Sequence, residues 1–405
     1  MTMTTQQTDT PKAGATGAAA APAPMLHVAP GPHFGTTGRS TRWMMLDVLI
    51  ALTPVVAMSL YLFGGRAAVV MSLSIISCLA TEIIFLLIRG RPVTVFDGSS
   101  AVTGLILALS MPWTSPWWLP VIGGLIAVAI GKMVFGGLGY NLFNPAMVGR
   151  AFLMICFTTE MTAWLAGGQA PLNVVDAATG ATPMWAGKAE RIAYALKDLF
   201  LGNVNGSLGE TSALLLLLGG LYLCLRRTAA WQIPVGVLLG AMLVACLQVG
   251  FGGGEAAGLV WRVAAPLALV GGGALLMWGG SMWAACAGAA LCLAGLGMGQ
   301  WAANLNPEGP VLTPLHHLFG GALMFGAFFI ASDPVSSPVS VRGRWVFGLG
   351  VGMMTMVIRL FSTYPEGVMF AVLLLNCVTP LINRWTIPVP VGGKGSPTPA
   401  PAAKA

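Results

Sequence analysis

Gly136-Gly137-Leu138-Gly139-Tyr140-Asn141-Leu142-Phe143-Asn144-Pro145-Ala146 runs into one long apolar segment, and Ser362-Thr363-Tyr364-Pro365-Glu366-Gly367 runs into another. Each follows an apolar segment that carries a basic residue, Lys132 in the first case and Arg359 in the second. Asp97-Gly98-Ser99 opens a further apolar segment, and Asp333-Pro334 closes its counterpart. These correspondences predict an internal two-fold repeat with five helices in each half. Five is an odd number, so the halves run through a membrane in opposite senses. Inverted repeats with interrupted helices build their sites near the midplane.

Outward from these stretches, twelve apolar segments are legible. They run 44–64, 67–88, 99–112, 117–136, 145–165, 209–225, 230–250, 259–278, 281–299, 313–331, 345–361 and 366–382. The third is too short to cross about 30 Å of hydrocarbon as a helix. Segments one to five pair with six, seven, ten, eleven and twelve. Segments eight and nine form an extra hydrophobic hairpin, 259–299, before the third helix of the second half. The fold class expected is an all-α polytopic membrane protein of two inverted five-helix repeats.

The composition agrees. Of 405 residues, 20 are Lys or Arg and 13 are Asp or Glu, so 8% are charged, and 56% are hydrophobic. An ordinary soluble domain carries about 25% charge. A soluble monomer, a disordered chain, a collagen-like rod and a disulfide scaffold are all excluded. The formal charge of +7 is spread singly and in pairs, which does not point to nucleic acid. The seven cysteines fall in or beside apolar segments with no CxxC, and four histidines are too few to complete a zinc set. No metal site is expected.

Basic residues set the orientation. Arg39 and Arg42 place the N-terminus in the cytoplasm, and Arg89/Arg91, Arg226/Arg227, Arg342/Arg344 and Arg384/Lys394 then also fall inside. Trp43, Trp113, Trp117, Trp118, Trp164, Trp231, Trp301, Trp345 and Trp385 mark segment ends as an interfacial belt. The expected organisation is a disordered cytoplasmic tail (1–38), a first membrane repeat (39–165), an outer loop (166–208), a second membrane repeat (209–386) and a disordered cytoplasmic tail (387–405). Residues 1–38 hold no apolar core of the signal-peptide type.

The outer loop contains Asp176-Ala177-Ala178-Thr179-Gly180-Ala181-Thr182-Pro183. By composition alone this is an exposed turn. It matches D-x-x-[S/T]-G-A-T at every fixed position, with Asp176, Thr179, Gly180, Ala181 and Thr182 as the fixed residues. That pattern is the acceptor for a flavin transferase, which links FMN through a phosphoester to the last Thr. The small residues let the loop enter a cleft of the transferase.

The rest of the chain resembles one family throughout 39–390. The resemblance rests on Asp97-Gly98-Ser99-Ser100-Ala101-Val102-Thr103-Gly104, on Gly136–Gly139 with Asn141 and Asn144-Pro145-Ala146, and on Gly206-Ser207-Leu208-Gly209-Glu210-Thr211-Ser212. Asp333-Pro334-Val335-Ser336 and Tyr364-Pro365-Glu366-Gly367-Val368 complete it. The family holds the D component of Rnf electron transport complexes and the B component of Na+-translocating NADH:quinone reductases. Asp97-Gly98-Ser99, Arg342-Gly343-Arg344 and Tyr364–Gly367 look more like the Rnf member. The resemblance implies ten helices with a urea-transporter-like fold, covalent FMN on Thr182, and a non-covalent riboflavin near Asn141 and Asn144. It implies an electron-transfer component in the cell inner membrane, part of an ion-translocating ferredoxin:NAD+ oxidoreductase, with no complete active site of its own. Partners would be the A, B, C, E and G components of the Rnf complex, the flavin transferase, lipid, and Na+ or H+. A quinone-reductase component and a non-redox channel of the same fold are the other readings.

No Walker motif or dinucleotide fingerprint occurs, so NAD and iron–sulfur centres are expected in partner proteins. Gly295-Leu296-Gly297-Met298-Gly299 reads as close helix packing. Intramembrane ionisable residues are functional candidates by default. Here they are Asp47, Glu82, Asp97, Lys132, Arg150, Arg262, Asp333, Arg359 and Glu366. Asp97, Asp333 and Glu366 sit at expected helix breaks and are the candidate ion pathway. Asn144 is also the expected N-cap of a helix starting at Pro145. Arg150 faces either a flavin or a carboxylate. His316 and His317 are expected at the membrane interface.

Overall fold

The computed structural model describes residues 40–93, 95–162, 195–202, 204, 206–251, 313–362 and 366–386, with single positions at 288, 291 and 294. The described residues belong to one unit, Arg39–Ala405. The acceptor stretch from Asp176 to Thr182, both expected tails and nearly all of the extra hairpin 259–299 lie outside them. No strand occurs among the described residues.

The chain enters at Ser40 and forms α1 (Thr41–Phe63) and α2 (Gly65–Ile88), apolar runs of 23 and 24 residues. A single glycine turns one into the other. Gly64 takes φ +64°, a left-handed conformation costly for other residues, and its N–H closes on Leu60 O at 2.9 Å. With α12 (Val341–Phe361) and α13 (Val368–Trp385), these are the four described helices long and apolar enough to cross a membrane.

Most of the other described helices are shorter or broken. They are α3 (Ser99–Leu109), α4 (Trp118–Val128), α5 (Pro145–Cys156), α6 (Thr158–Thr162), α7 (Leu196–Leu201), α8 (Ala213–Leu225), α9 (Gln232–Phe251), α10 (Pro314–Phe319) and α11 (Leu323–Phe325). α3 has 11 residues and rises roughly 16 Å, so it stops inside the hydrocarbon depth, as its length leads one to expect. Backbone ends at that depth need internal partners. Leu208 N–H reaches Met111 O at 3.1 Å and Gly209 N–H reaches Leu109 O at 2.6 Å. The Gly206–Ser212 stretch therefore closes the end of α3.

Three segments differ from their expected form. The fourth ends in a π-helical turn at Ala129–Met133. The fifth breaks at Phe157 (φ −131°, ψ 51°) before α6. The tenth is discontinuous: α10 ends at Phe319, Gly321 adopts φ +67°, and α11 continues as a second π-helical turn, Gly326–Ile330. Trp345, expected at an interface, is 3% exposed and packs edge-on against Trp231 at 5.7 Å.

One large apolar core joins α1, α3, α5, α8, α9, α12 and α13. α2 packs on α3 and α4, α9 on α12, α4 on α5, and α12 on α13. α9 and α12 meet backbone to backbone. A Cβ on Gly236 would stand 3.1 Å from Gly348 Cα, and one on Gly240 would overlap Leu349 O. Small residues bring helices this close where lipid offers no hydrophobic drive to associate.

Candidate functional site

A cavity of about 90 Å³ opens between the two halves of the chain. α1 supplies Met44, Met45 and Val48. α3 supplies Ser99 and Thr103, and the two π-helical turns supply Lys132 from one side and Phe328 with Phe329 from the other. Asn141, Asn144, Thr228, Ser332 and Asp333 complete the polar part of the wall. π-helical turns shift the register of the side chains that follow and recur at functional sites. Here two of them face one cavity.

The polar wall is held in place locally. Asn144 caps α5, its Oδ1 accepting from Ala146 N–H at 3.1 Å and Met147 N–H at 3.4 Å, with Pro145 at the first helical position. Its Nδ2 donates across the cavity wall to Ile330 O at 3.2 Å. One residue thus ties the start of α5 to the second π-helical turn. Asn141 Nδ2 donates to Phe143 O at 3.1 Å, which fixes the turn ahead of the cap. Asn144→Ala removes the cap, worth about 1 kcal/mol, and leaves Ile330 O with the longer bond from Asp333 N–H at 3.4 Å. Asn144→Ser keeps a neutral capping oxygen and loses the bond to Ile330. Thermal unfolding in detergent should rank the proteins wild type, Ser, Ala; equal losses for both variants would show that the cap contributes nothing, and a Ser variant as stable as wild type would show the same of the cross-chain bond.

Lys132 is buried, 1% exposed. Its Nζ donates to Glu82 Oε1 at 2.6 Å, to Ser99 Oγ at 2.6 Å and to Ser100 Oγ at 3.2 Å. The pair links α2, α3 and the first π-helical turn. Asp97 Oδ1 accepts from the N–H and hydroxyl of Ser99, at 2.9 and 2.8 Å. Asp97 thus orients the serine that Lys132 binds. Asp333 makes the matching arrangement in the other half, accepting from Val335 N–H at 3.2 Å and Ser336 Oγ at 3.0 Å. Both acids are half-buried, and only Asp333 lines the cavity.

Glu366 and Arg359 serve the break in the tenth segment. Arg359 donates to His317 O at 2.7 Å and Gly320 O at 3.1 Å, the carbonyls at the end of α10. Glu366 accepts Ala322 N–H at 2.9 and 3.1 Å, ahead of α11. The cation sits at a helix C-terminus and the anion at a helix N-terminus, the signs that the backbone dipoles favour. Arg150 has a carboxylate partner, Glu210 at 3.5 Å, which decides between the two alternatives for it. His316 and His317 are buried within the protein; His316 Nδ1 holds the Thr313 hydroxyl at 2.6 Å. Asp47, at the cytoplasm-facing end of α1 in the expected orientation, ties that helix to α8. It meets Arg226 at 3.2 Å, Tyr222 at 3.3 Å and Thr228 at 2.9 Å.

Sequence reasoning singles out Glu82, Lys132, Arg150 and Arg359 without pairing them. It passes over Glu210 as a site residue, because the sole signal there is a carboxylate just ahead of an apolar run. Thr182 and the other acceptor residues, Asp176, Thr179, Gly180 and Ala181, lie outside the described residues.

The four long apolar helices define a multi-pass helical membrane protein, and the cavity between them and the shorter helices is its candidate site. The family model described as NQR2, RnfD, RnfE matches residues 27–254 and 247–392. The chain belongs to that family. It is 36% identical over 359 residues to the D component of the proton-translocating ferredoxin:NAD(+) oxidoreductase complex of Clostridium ljungdahlii, covering 86% of this chain and 91% of that protein. It is 35% identical over 366 residues to the D component of the Na(+)-translocating ferredoxin:NAD(+) oxidoreductase complex of Acetobacterium woodii, covering 89% and 93%. The D component of the ion-translocating oxidoreductase complex of Stutzerimonas stutzeri is 35% identical over 396 residues, covering 89% and 95%.

Proposed function

We propose that this chain is the membrane flavoprotein RnfD of an Rnf-type ion-translocating ferredoxin:NAD+ oxidoreductase, with FMN joined to Thr182 by a phosphoester. The observation that carries this reading is the intact acceptor sequence Asp176–Thr182 in a chain whose relatives are named as the D component of such complexes over most of their length. Flavins accept one or two electrons, and a protein tunes them by burial and hydrogen bonding. A second, non-covalent flavin would be held at this cavity, which at about 90 Å³ must widen to admit the ring. Phe328, Phe329, Met44 and Met45 offer apolar faces to a flat ring, while Asn141, Asn144, Thr103 and Ser332 offer edge donors and acceptors. Lys132 brings a positive charge to the same wall.

The packing supports a reading as two inverted five-helix repeats. α1 to α5 would form one repeat, and α8, α9, the broken α10–α11 segment, α12 and α13 the other. Each half delivers a π-helical turn and an Asp-capped turn to the cavity region. In this reading both termini face the cytoplasm and Thr182 the outer side. The remaining Rnf proteins would supply NAD, ferredoxin and iron–sulfur chemistry, and the complex would move Na+ or H+.

The test is direct. Expressed with a flavin transferase and run on a denaturing gel, the wild-type band should fluoresce and the Thr182→Val band should be dark. A dark wild-type band, or a fluorescent Thr182→Val band, overturns the covalent assignment.

A further inference from the structure

A cavity of about 90 Å³ must widen before a flat ring can enter it, so some part of its wall has to give. One part of that wall is a seam between two segments. Met44, Met45 and Val48 line it from the first turns of α1, and Leu223, Thr228 and Ala229 line it from the end of α8 and the turn that follows. Asp47 lies in the same stretch of α1 and is 2% exposed. Its Oδ1 accepts from Arg226 Nε at 3.3 Å, from Arg226 Nη2 at 3.2 Å and from the Tyr222 hydroxyl at 3.3 Å. Its Oδ2 accepts from Thr228 Oγ1 at 2.9 Å. Thr228 is thus both cavity wall and partner of the carboxylate.

The turn after α8 is shaped to reach Asp47. Arg227 takes φ +56° and is the one non-glycine residue with a positive φ among the described residues. Helices often end on such a residue, but it is usually glycine, because a side chain makes the left-handed conformation costly. Arg227 N–H closes on Cys224 O and Thr228 N–H on Leu223 O, each at 3.0 Å. The reversal at Arg227 puts Arg226 and Thr228, its two chain neighbours, on one carboxylate. A strained residue persists where its surroundings over-determine it, and Asp47 is part of those surroundings. Deeper along the same seam, a Cβ on Gly219 would overlap Ala51 O, so α1 and α8 are in backbone contact there. The seam is therefore pinned at Ala51 and Gly219 and held at its end by the side chains around Asp47. The Arg226 side chain is 42% exposed, so solvent reaches that end.

We propose that Asp47 is a latch on the cavity: its bonds to Arg226 and Thr228 hold the turn after α8 against α1, and their release lets the turn swing away and admits or frees a flat, ring-shaped ligand. Hydrogen bonds alone break and re-form in this step. Asp47 is a positioning residue, since it does not line the cavity and acts through the turn that does. The identity of the ligand rests on the proposed function; the latch does not.

The test uses the assembled complex in detergent, with Thr103→Cys as a reporter on the cavity wall and fluorescein maleimide, a fused-ring reagent of flavin width, as the probe. Labelling is read peptide by peptide by mass spectrometry. Adding Asp47→Ala should speed labelling at position 103 at least about tenfold, the factor that one charge-assisted hydrogen bond is worth. Native Cys78 is 0% exposed and does not line the cavity, so it should stay unlabelled in both proteins. An unchanged rate at position 103 overturns the proposal. So does labelling of Cys78 that rises in step, because the whole fold has then loosened. If Asp47→Ala does not assemble, Asp47→Cys combined with Thr228→Cys puts a reducible cross-link in place of the latch. The reporter should then label slowly when the cross-link is oxidised and fast after reduction; equal rates overturn the proposal. Non-covalent flavin is counted separately, by denaturing the same complex. A complex that releases none counts against that ligand, while the labelling contrast still decides the latch.

Discussion

Lys132→Met should destabilise the folded protein by about 3–5 kcal/mol, the cost of leaving one member of a buried ion pair alone. Lys132 and Glu82 are 1% and 2% exposed and meet at 2.6 Å. Glu82 Oε2 has no other donor among the described residues, so Lys132 is the one cation shown at that carboxylate. Ser99 and Ser100 accept from the same ammonium; removing it takes away their shared donor at the start of α3. Replacing the whole pair with apolar groups is a different matter, because both desolvation penalties vanish with the charges. Lys132→Met combined with Glu82→Leu should recover most of the loss. The measurement is thermal unfolding in detergent for wild type, both single variants and the double. If the double variant falls as far as Lys132→Met alone, the stability lay in packing of the long lysine stem and not in the charges.

That pair also shows where the sequence stops being informative. An apolar segment with one lysine, and another with one glutamate, announce themselves by contrast with their surroundings. Which meets which depends on how α2 and the fourth segment cross, and no local pattern records that. The two π-helical turns are silent for a related reason. Slipping one hydrogen bond of a helix changes neither composition nor apolarity, so Ala129–Met133 and Gly326–Ile330 read as ordinary helix. The cap at Asn144 is legible because its cause is local: a side-chain acceptor precedes a proline that lacks an N–H.

The break in the tenth segment lies between these cases. Gly320-Gly321 in an apolar run reads as small-residue packing. The chain can open there only because Arg359 and Glu366, about forty residues later, take over the freed carbonyls and N–H. Their roles at the break are hidden from the sequence for the same reason. His316 and His317 read as residues at a segment start; that protein packs over both is not visible in the sequence.

Gly220→Ala should push the second π-helical turn into the cavity and cost about 1–3 kcal/mol of stability by overpacking. On α8, Gly219 and Gly220 stand directly behind the two phenylalanines of that turn. A Cβ on Gly220 would overlap the Phe328 ring and lie 2.8 Å from Phe328 Cβ. Rotating the ring cannot relieve a clash with Cβ, so the backbone of the turn must move. A Cβ on Gly219 would overlap Ala51 O and stand 3.0 Å from Phe329 Cζ. The free direction for both rings is the cavity they line. Flavin held there without a covalent bond should then be lost. Flavin released by denaturing Gly220→Ala, counted against protein, should fall well below wild type, while flavin on Thr182 stays. Gly65→Ala is the matched control, since that glycine has nothing within 4 Å of an added Cβ and no positive φ. Full retention in Gly220→Ala would mean that the turn yields away from the cavity, and that its aromatic wall does not set what the site can hold.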